Sequence, residues 1–262
     1  MLSHNIFTNL FVIPTLNLLV FFYKGLLDLH VPGAFGLAIV ALTIFVRLIL
    51  HPFFKKQIES THKMQELKPE LDKIALKYKK DPKKLQQEQM ALYTKAGINP
   101  ATGCLLLLIQ FPVFIGLYQT LSLFFVKGGY LKAVASINAA LYHPYLKVTT
   151  IDLNFLGFNL AQTPQKGGGY YLLIPVITAL LQYLQVQLST PPTPKTNESA
   201  ITKKDDKPDM ASDFQKTLNT QMKYVFPLMI GFFSYSFSVG LALYWNIFSI
   251  FSIIQYRRIK KS

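Results

Sequence analysis

YVFPLMIGFFSYSFSVGLALYWNIFSIFSII, residues 224–254, is a run of 31 residues without a single charge. As one helix it would reach about 46 Å, well beyond a hydrocarbon core of about 30 Å. Phe237-Ser238-Val239-Gly240 lies near its middle, where a glycine permits a break. The run therefore reads as two spans in tight succession, 223–238 and 240–256. With flanking residues borrowed, each is about 18 residues or 27 Å long, and spans that short thin the bilayer around them. Three further stretches share the character: 36–54 has one charge, and 103–126 and 170–188 have none. The fold class is thus an all-α polytopic membrane protein with five transmembrane helices. Composition agrees. Of 262 residues, 51% are hydrophobic and only 15% charged, against about 25% charged in an average chain. The single cysteine, Cys104, excludes a disulfide scaffold and reads as a small packing residue.

Orientation follows from lysine and arginine. Residues 55–96 hold eleven lysines, Ser189 to Lys223 six, and the tail 257–262 four basic residues, all on one side of a five-span chain. Residues 126–169 hold four, and Lys24 stands alone before the first span. The basic side is cytoplasmic, which puts the N-terminus outside and the C-terminus inside. Much of the net charge of +14 is therefore topology signal and requires no sequence-specific nucleic acid.

The N-terminal segment, 1–30, is apolar over Ile6 to Tyr23 but interrupted by Asn9, Pro14, Thr15 and Asn17. It reads as a helix lying in the outer interface in preference to a sixth span. It has neither a basic leader nor a cleavage site, and the absence of a transit peptide favours a bacterial plasma membrane over an organelle. Residues 55–96 form a cytoplasmic helical hairpin: Met64, Leu67, Leu71, Ile74 and Tyr78 share one helical stripe, Pro69 starts a fresh turn, and Lys80-Asp81-Pro82 makes the bend. Its outer face is a solvated charged surface or a paddle for anionic lipid or ribosomal RNA. The linker 189–222 is too polar to repay ordering. The outer loop is 127–169, with a short surface helix at Ala133 to Tyr142.

Arg47 stands inside the first span. A basic residue at mid-helix costs about 2.5–3.5 kcal/mol, so it must snorkel, pair or face water. No other span contains an aspartate or glutamate to pair with it. The reading left beside snorkelling is an uncompensated charge facing intramembrane water. Thr43 one turn away, Gln110, Gln182, Gln185, Trp245 and Asn246 are polar enough to line such a cavity. Glutamines within spans also tie helices together. Sequence motifs of hydrolases and metal sites are missing: no G-x-S-x-G, no H-E-x-x-H, and no metal or cofactor is expected. His51, before Pro52, reads as a boundary residue. The chain is not read as an enzyme; the alternative function is an anion-binding transporter or channel.

Four stretches carry a resemblance. They are GLAIVALTIFVRLILHP (Gly36 to Pro52), the hairpin from MQELKPELDKIALKYKKDPKKLQQE into AGINPATGC, LLIQFPVFIGLYQTL (Leu107 to Leu121) and FSYSFSVGLALYWNIFSIFSIIQ (Phe233 to Gln255). FLGFNL, Phe155 to Leu160, fits as well. In content and order they resemble the YidC/Oxa/Alb family of membrane protein insertases. The resemblance implies five core helices and a hydrophilic groove open to the cytoplasm and the lipid but closed outside. It makes Arg47 the groove arginine, with Thr43, Gln110, Gln182 and Trp245 as its other substrate-binding residues. It implies nascent membrane proteins, the lipid bilayer, the ribosome and a Sec translocon as partners. Two features depart from the pattern: Ser238 stands where a proline is usual, and the basic tail is short.

Overall fold

The computed structural model of the chain describes residues 5–78, 81–99, 102–125, 130–189 and 221–259. Nearly all of the linker expected at 189–222 lies outside the described residues, as do Lys80 of the hairpin turn, the side chain of Cys104 and the last three residues of the tail.

Helices dominate. A π turn (Thr8–Val12) leads into α1 (Ile13–Asp28), with Pro14 in the first turn, where a missing N–H costs nothing. Left-handed Gly33 (φ 68°) redirects the chain into α2 (Ala34–Ile49). There the helix stops, within the stretch expected to span over 36–54, and bends by 66° into α3 (His51–Glu66). Pro52 is the cause: it offers no N–H to the Leu48 carbonyl, and its ring would collide with that carbonyl. After α3 come α4 (Lys68–Lys77), begun by Pro69, and α5 (Pro82–Lys95), capped by the Asp81 side chain accepting from the Lys84 amide at 3.0 Å. Leu71 and Ala75 are the buried residues of α4, and α5 has none.

Beyond α5 lie α6 (Thr102–Phe124) and α7 (Tyr130–Ala139). A two-stranded ribbon follows, β1 (Asn154–Phe155) and β2 (Phe158–Asn159), then the short α8 (Pro164–Gly167) and α9 (Leu173–Ser189). A second π turn (Gln221–Val225) opens α10 (Phe226–Ser236), and extended Phe237 breaks it from α11 (Val239–Ile259). The break lies at Phe237-Ser238, inside the four-residue stretch expected to hold it, while Gly240 itself is helical. α11 runs past the expected end at 256, with Arg257 and Arg258 in its last turn, where cations suit the helix dipole.

Among the described residues three helical stretches are long and apolar enough to cross a bilayer: Thr8–Asp28, Gly169–Ser189 and Val239–Ile259. The bent pair α2–α3 makes a fourth if it counts as one span.

Packing differs between the two ends of the bundle. At the end carrying the 127–169 loop, the core gathers Leu16, Phe35, Ile39, Leu121, Leu160 and Leu241. The β ribbon closes this end. Its two-residue turn, Leu156-Gly157, has positive φ at both positions (50° and 83°), the form that matches strand twist. That turn holds the Phe155 ring against Gly33 and Gly36, where no side chain would fit. The carbonyls of Leu160 and Gln162 accept from the amides of Gly240 and Val239 at 2.9 Å each. Two orphan donors at the start of α11 are thereby satisfied. α1 is tied to the same end: Thr120 donates to the Val12 carbonyl at 3.3 Å, and Asn17 bonds Ala140 and Tyr142. α9 and α10 approach closely at Gly231, whose added Cβ would lie 2.7 Å from that of Ala179. The Thr178 and Ser234 hydroxyls meet there at 3.2 Å.

Candidate functional site

α11 is the axis of the site. Tyr244, Phe248, Ser252 and Gln255 recur every three or four residues, so one helical face carries all four; Trp245 and Ser249 line an adjoining face. Of the polar residues expected from the sequence, Arg47, Gln110 and Gln182 bond to residues on these two faces, and Trp245 is one of them.

Arg47 lies in the last turn of α2 and is 3% exposed. Its guanidinium is held between two aromatic rings, 3.7 Å from the Phe248 centroid and 4.0 Å from that of Phe54 on α3. Edge donors go to neutral acceptors: Nη1 to Gln255 Oε1 at 3.3 Å, and Nη2 to the Phe248 carbonyl at 3.0 Å and to the Ser252 hydroxyl. Nε is buried without a partner. Such stacking is worth about 2 kcal/mol when desolvated, and a neutral bond to a charged donor about 1.5–3 kcal/mol. Together they offset desolvation without cancelling the charge. Among the described residues the groups bonded to Arg47 are all neutral, and the Lys55–Glu59 ion pair at 3.8 Å is an exposed contact elsewhere on α3. Three or more His, Cys, Asp or Glu side chains come together nowhere among the described residues.

The other expected residues surround the same helix. Gln110 of α6 donates to the Tyr244 hydroxyl at 2.9 Å. Gln182 of α9, 5% exposed, accepts from the Trp245 indole at 3.0 Å and from Ser249 at 3.4 Å. Trp245 also meets Phe114 of α6 edge-on, with centroids 5.0 Å apart. Thr43 is buried one turn from Arg47, but its hydroxyl donates back to the Ile39 carbonyl of its own helix at 2.7 Å. Gln185 Oε1 and Asn246 Oδ1 are buried without partners.

Sequence reasoning did not include Phe54, Phe248, Ser252, Gln255 and His51 in the site. Gln255 Nε2 lies 2.8 Å from His51 Nδ1, so His51, read as a boundary residue, is the outermost member of the cluster. The available signals were Pro52, which ends α2 and turns α3 towards α11, and the polar period of α11.

The profile of the family described as 60Kd inner membrane protein matches residues 27–262. The membrane protein insertase YidC of Oceanobacillus iheyensis is 37% identical over 233 residues, covering 87% of this chain and 75% of the relative. Membrane protein insertase YidC 1 of Halalkalibacterium halodurans is 31% identical over 261 residues, 97% of this chain and 78% of the relative. The chloroplastic inner membrane protein ALBINO3 of Arabidopsis thaliana is 34% identical over 247 residues, 90% of this chain but 49% of its own length. A bundle of apolar helices around a buried, uncompensated arginine defines an integral membrane protein with a polar interior. The chain belongs to the 60Kd inner membrane protein family, the YidC/Oxa/Alb group of insertases.

Proposed function

We propose that the protein inserts nascent integral membrane proteins through a polar groove centred on Arg47. The observation that carries this reading is a buried guanidinium satisfied only by neutral acceptors, which leaves its charge available to an incoming carboxylate. A charge-assisted bond is about twice as strong as a neutral one, so an acidic client tail displaces Gln255 or Ser252 and gains by doing so. Low local dielectric strengthens the attraction further. Thr43, Gln110, Gln182 and Trp245 complete the polar lining, and the client's apolar segment then passes α6 and α11 into lipid. No covalent step is involved.

The five spans of the reading are α2, α6, α9, α10 and α11, with α4–α5 as the cytoplasmic hairpin. α1 lies in the outer interface. Its start meets α6 at Thr120, one turn from the loop end of that helix, and its middle and end bond the 138–150 segment, as suits a helix lying across one end. The 127–169 loop faces outside and the basic segments face the cytoplasm of a bacterial plasma membrane. The ribosome and a Sec translocon are its partners there. The ribbon packed over the outer end of α2 supports a one-sided groove over a through-path for an anionic solute.

Reconstituted liposomes and two clients differing only in tail charge test the proposal. Arg47→Lys keeps insertion, Arg47→Ala lowers the acidic client more than the neutral one, and Arg47→Glu lowers the acidic client most. Equal loss on both clients at matched protein levels would refute the electrostatic role.

A further inference from the structure

We infer that His51 and Gln255 are positioning residues for Arg47, holding its guanidinium in the orientation from which a client carboxylate is met. The inference rests on the insertion reading above and names residues that it leaves unassigned.

The polarity of the relay is fixed by chemistry. Arginine has only donors, so the Gln255 amide must turn its oxygen to Nη1, where it lies at 3.3 Å. The amide nitrogen then points the other way and lies 2.8 Å from His51 Nδ1. An amide N–H there requires a lone pair on Nδ1, hence a neutral imidazole with its proton on Nε2. A flipped amide would set donor against donor at Arg47 and oxygen against the Nδ1 lone pair at His51. Once His51 accepts, Gln255 has one orientation, and Arg47 has a fixed acceptor.

The chain path makes this arrangement possible. The 66° bend falls between Arg47 and His51, so both side chains reach α11 although the second belongs to α3. Phe54, one turn further along α3, stacks on the guanidinium and keeps it flat. Gln255 is 6% exposed and His51 is exposed, so the amide is shielded at the Arg47 end while water reaches the imidazole. A neutral acceptor at this place satisfies the idle arginine without neutralising it, and yields to a carboxylate. A carboxylate in its place would occupy the arginine permanently.

The full chain in liposomes, with the acidic and neutral clients above, tests the relay through the ratio of the two insertion yields. Arginine-selective nitrogen-15 labelling adds an independent readout, since only Arg47, Arg257 and Arg258 give guanidinium signals. His51→Phe removes the acceptor. It should speed rotation of the Arg47 Nη groups and lower the acidic preference about fivefold, the worth of one neutral hydrogen bond. His51→Asn returns an acceptor near the Nδ1 position and should restore both readouts. Gln255→Glu should lower the acidic preference by a similar factor while slowing Nη rotation. The inference is overturned if His51→Phe keeps the wild-type ratio, if His51→Asn does no better than His51→Phe, or if the variants lower both clients alike. Failure of the underlying reading shows separately, as an Arg47→Ala protein that treats the two clients equally.

Discussion

Gly36→Ala changes sign with its surroundings, and the sign tests the loop-end closure. Gly36 lies inside α2 without the positive φ that would demand glycine, so alanine should gain about 1 kcal/mol of helix propensity there. The added Cβ, however, would fall on the ring of Phe155. Overpacking of that kind costs about 1–3 kcal/mol. The net effect in the wild-type background is a destabilisation of up to about 2 kcal/mol, the difference of those two terms. With Phe155→Ala already in place the obstacle is gone, and Gly36→Ala should stabilise by about 1 kcal/mol. The coupling between the two sites is then about 1–3 kcal/mol, large for residues whose separate effects would otherwise add. Thermal unfolding of the four proteins in detergent, followed by the emission of the single tryptophan, Trp245, measures it. An alanine whose effect is the same with and without the Phe155 ring would refute the idea that the ribbon is seated against α2.

Leu71→Asp places a carboxylate at a buried position of α4 at a cost of about 2–5 kcal/mol; if Leu71 packs against α5, protease nicking near Pro82 should rise while the spans stay folded, and unchanged nicking counts against a packed hairpin. Gln182→Leu removes the acceptor of the Trp245 indole and should move its emission to shorter wavelength, whereas an unmoved spectrum would mean that the bond is not made in the membrane. The Asp28 carboxylate accepts from the Tyr145 hydroxyl and raises the pKa of that phenol above its ordinary value. The stabilisation from this contact is complete below the free phenol's value of about 10 and is lost as pH rises through the shifted one. Asp28→Asn should bring the Tyr145 titration, followed by tyrosine-selective NMR, back towards the ordinary range.

What the sequence made legible was local. The break before Val239, the fresh turn at Pro69 and the Asp81-Pro82 start of α5 each depend on residues within one turn of the event. Arg47 stood out because one charge in an apolar run is costly wherever its partners are. Its partners were not legible. Gln255 and Ser252 lie 208 and 205 residues away in the chain, and serine and glutamine on a buried helix face are ordinary helix-joining residues. The bend at Leu50 was within reach, since Pro52 forbids a continuous helix, but an apolar tally over 36–54 hides it. His51 joined the site only through that bend. Thr43 differs again: its hydroxyl bonds within its own helix, so no distant partner marks it.

The dependence of Arg47 on α11 also sets an order of events in the protein's own biogenesis. Arg47 leaves the ribosome about two hundred residues ahead of the carbonyl, hydroxyl and amide that will receive it. During that interval the guanidinium lacks every acceptor that will hold it. Gln110 and Gln182 are in the same position, each synthesised before the tyrosine or tryptophan it will bond. Contacts this distant in sequence form slowly. Arrival of α11 is therefore the step that converts a set of loosely inserted helices into a working protein. A chain halted before Val239 would hold every other helix described and still lack its site.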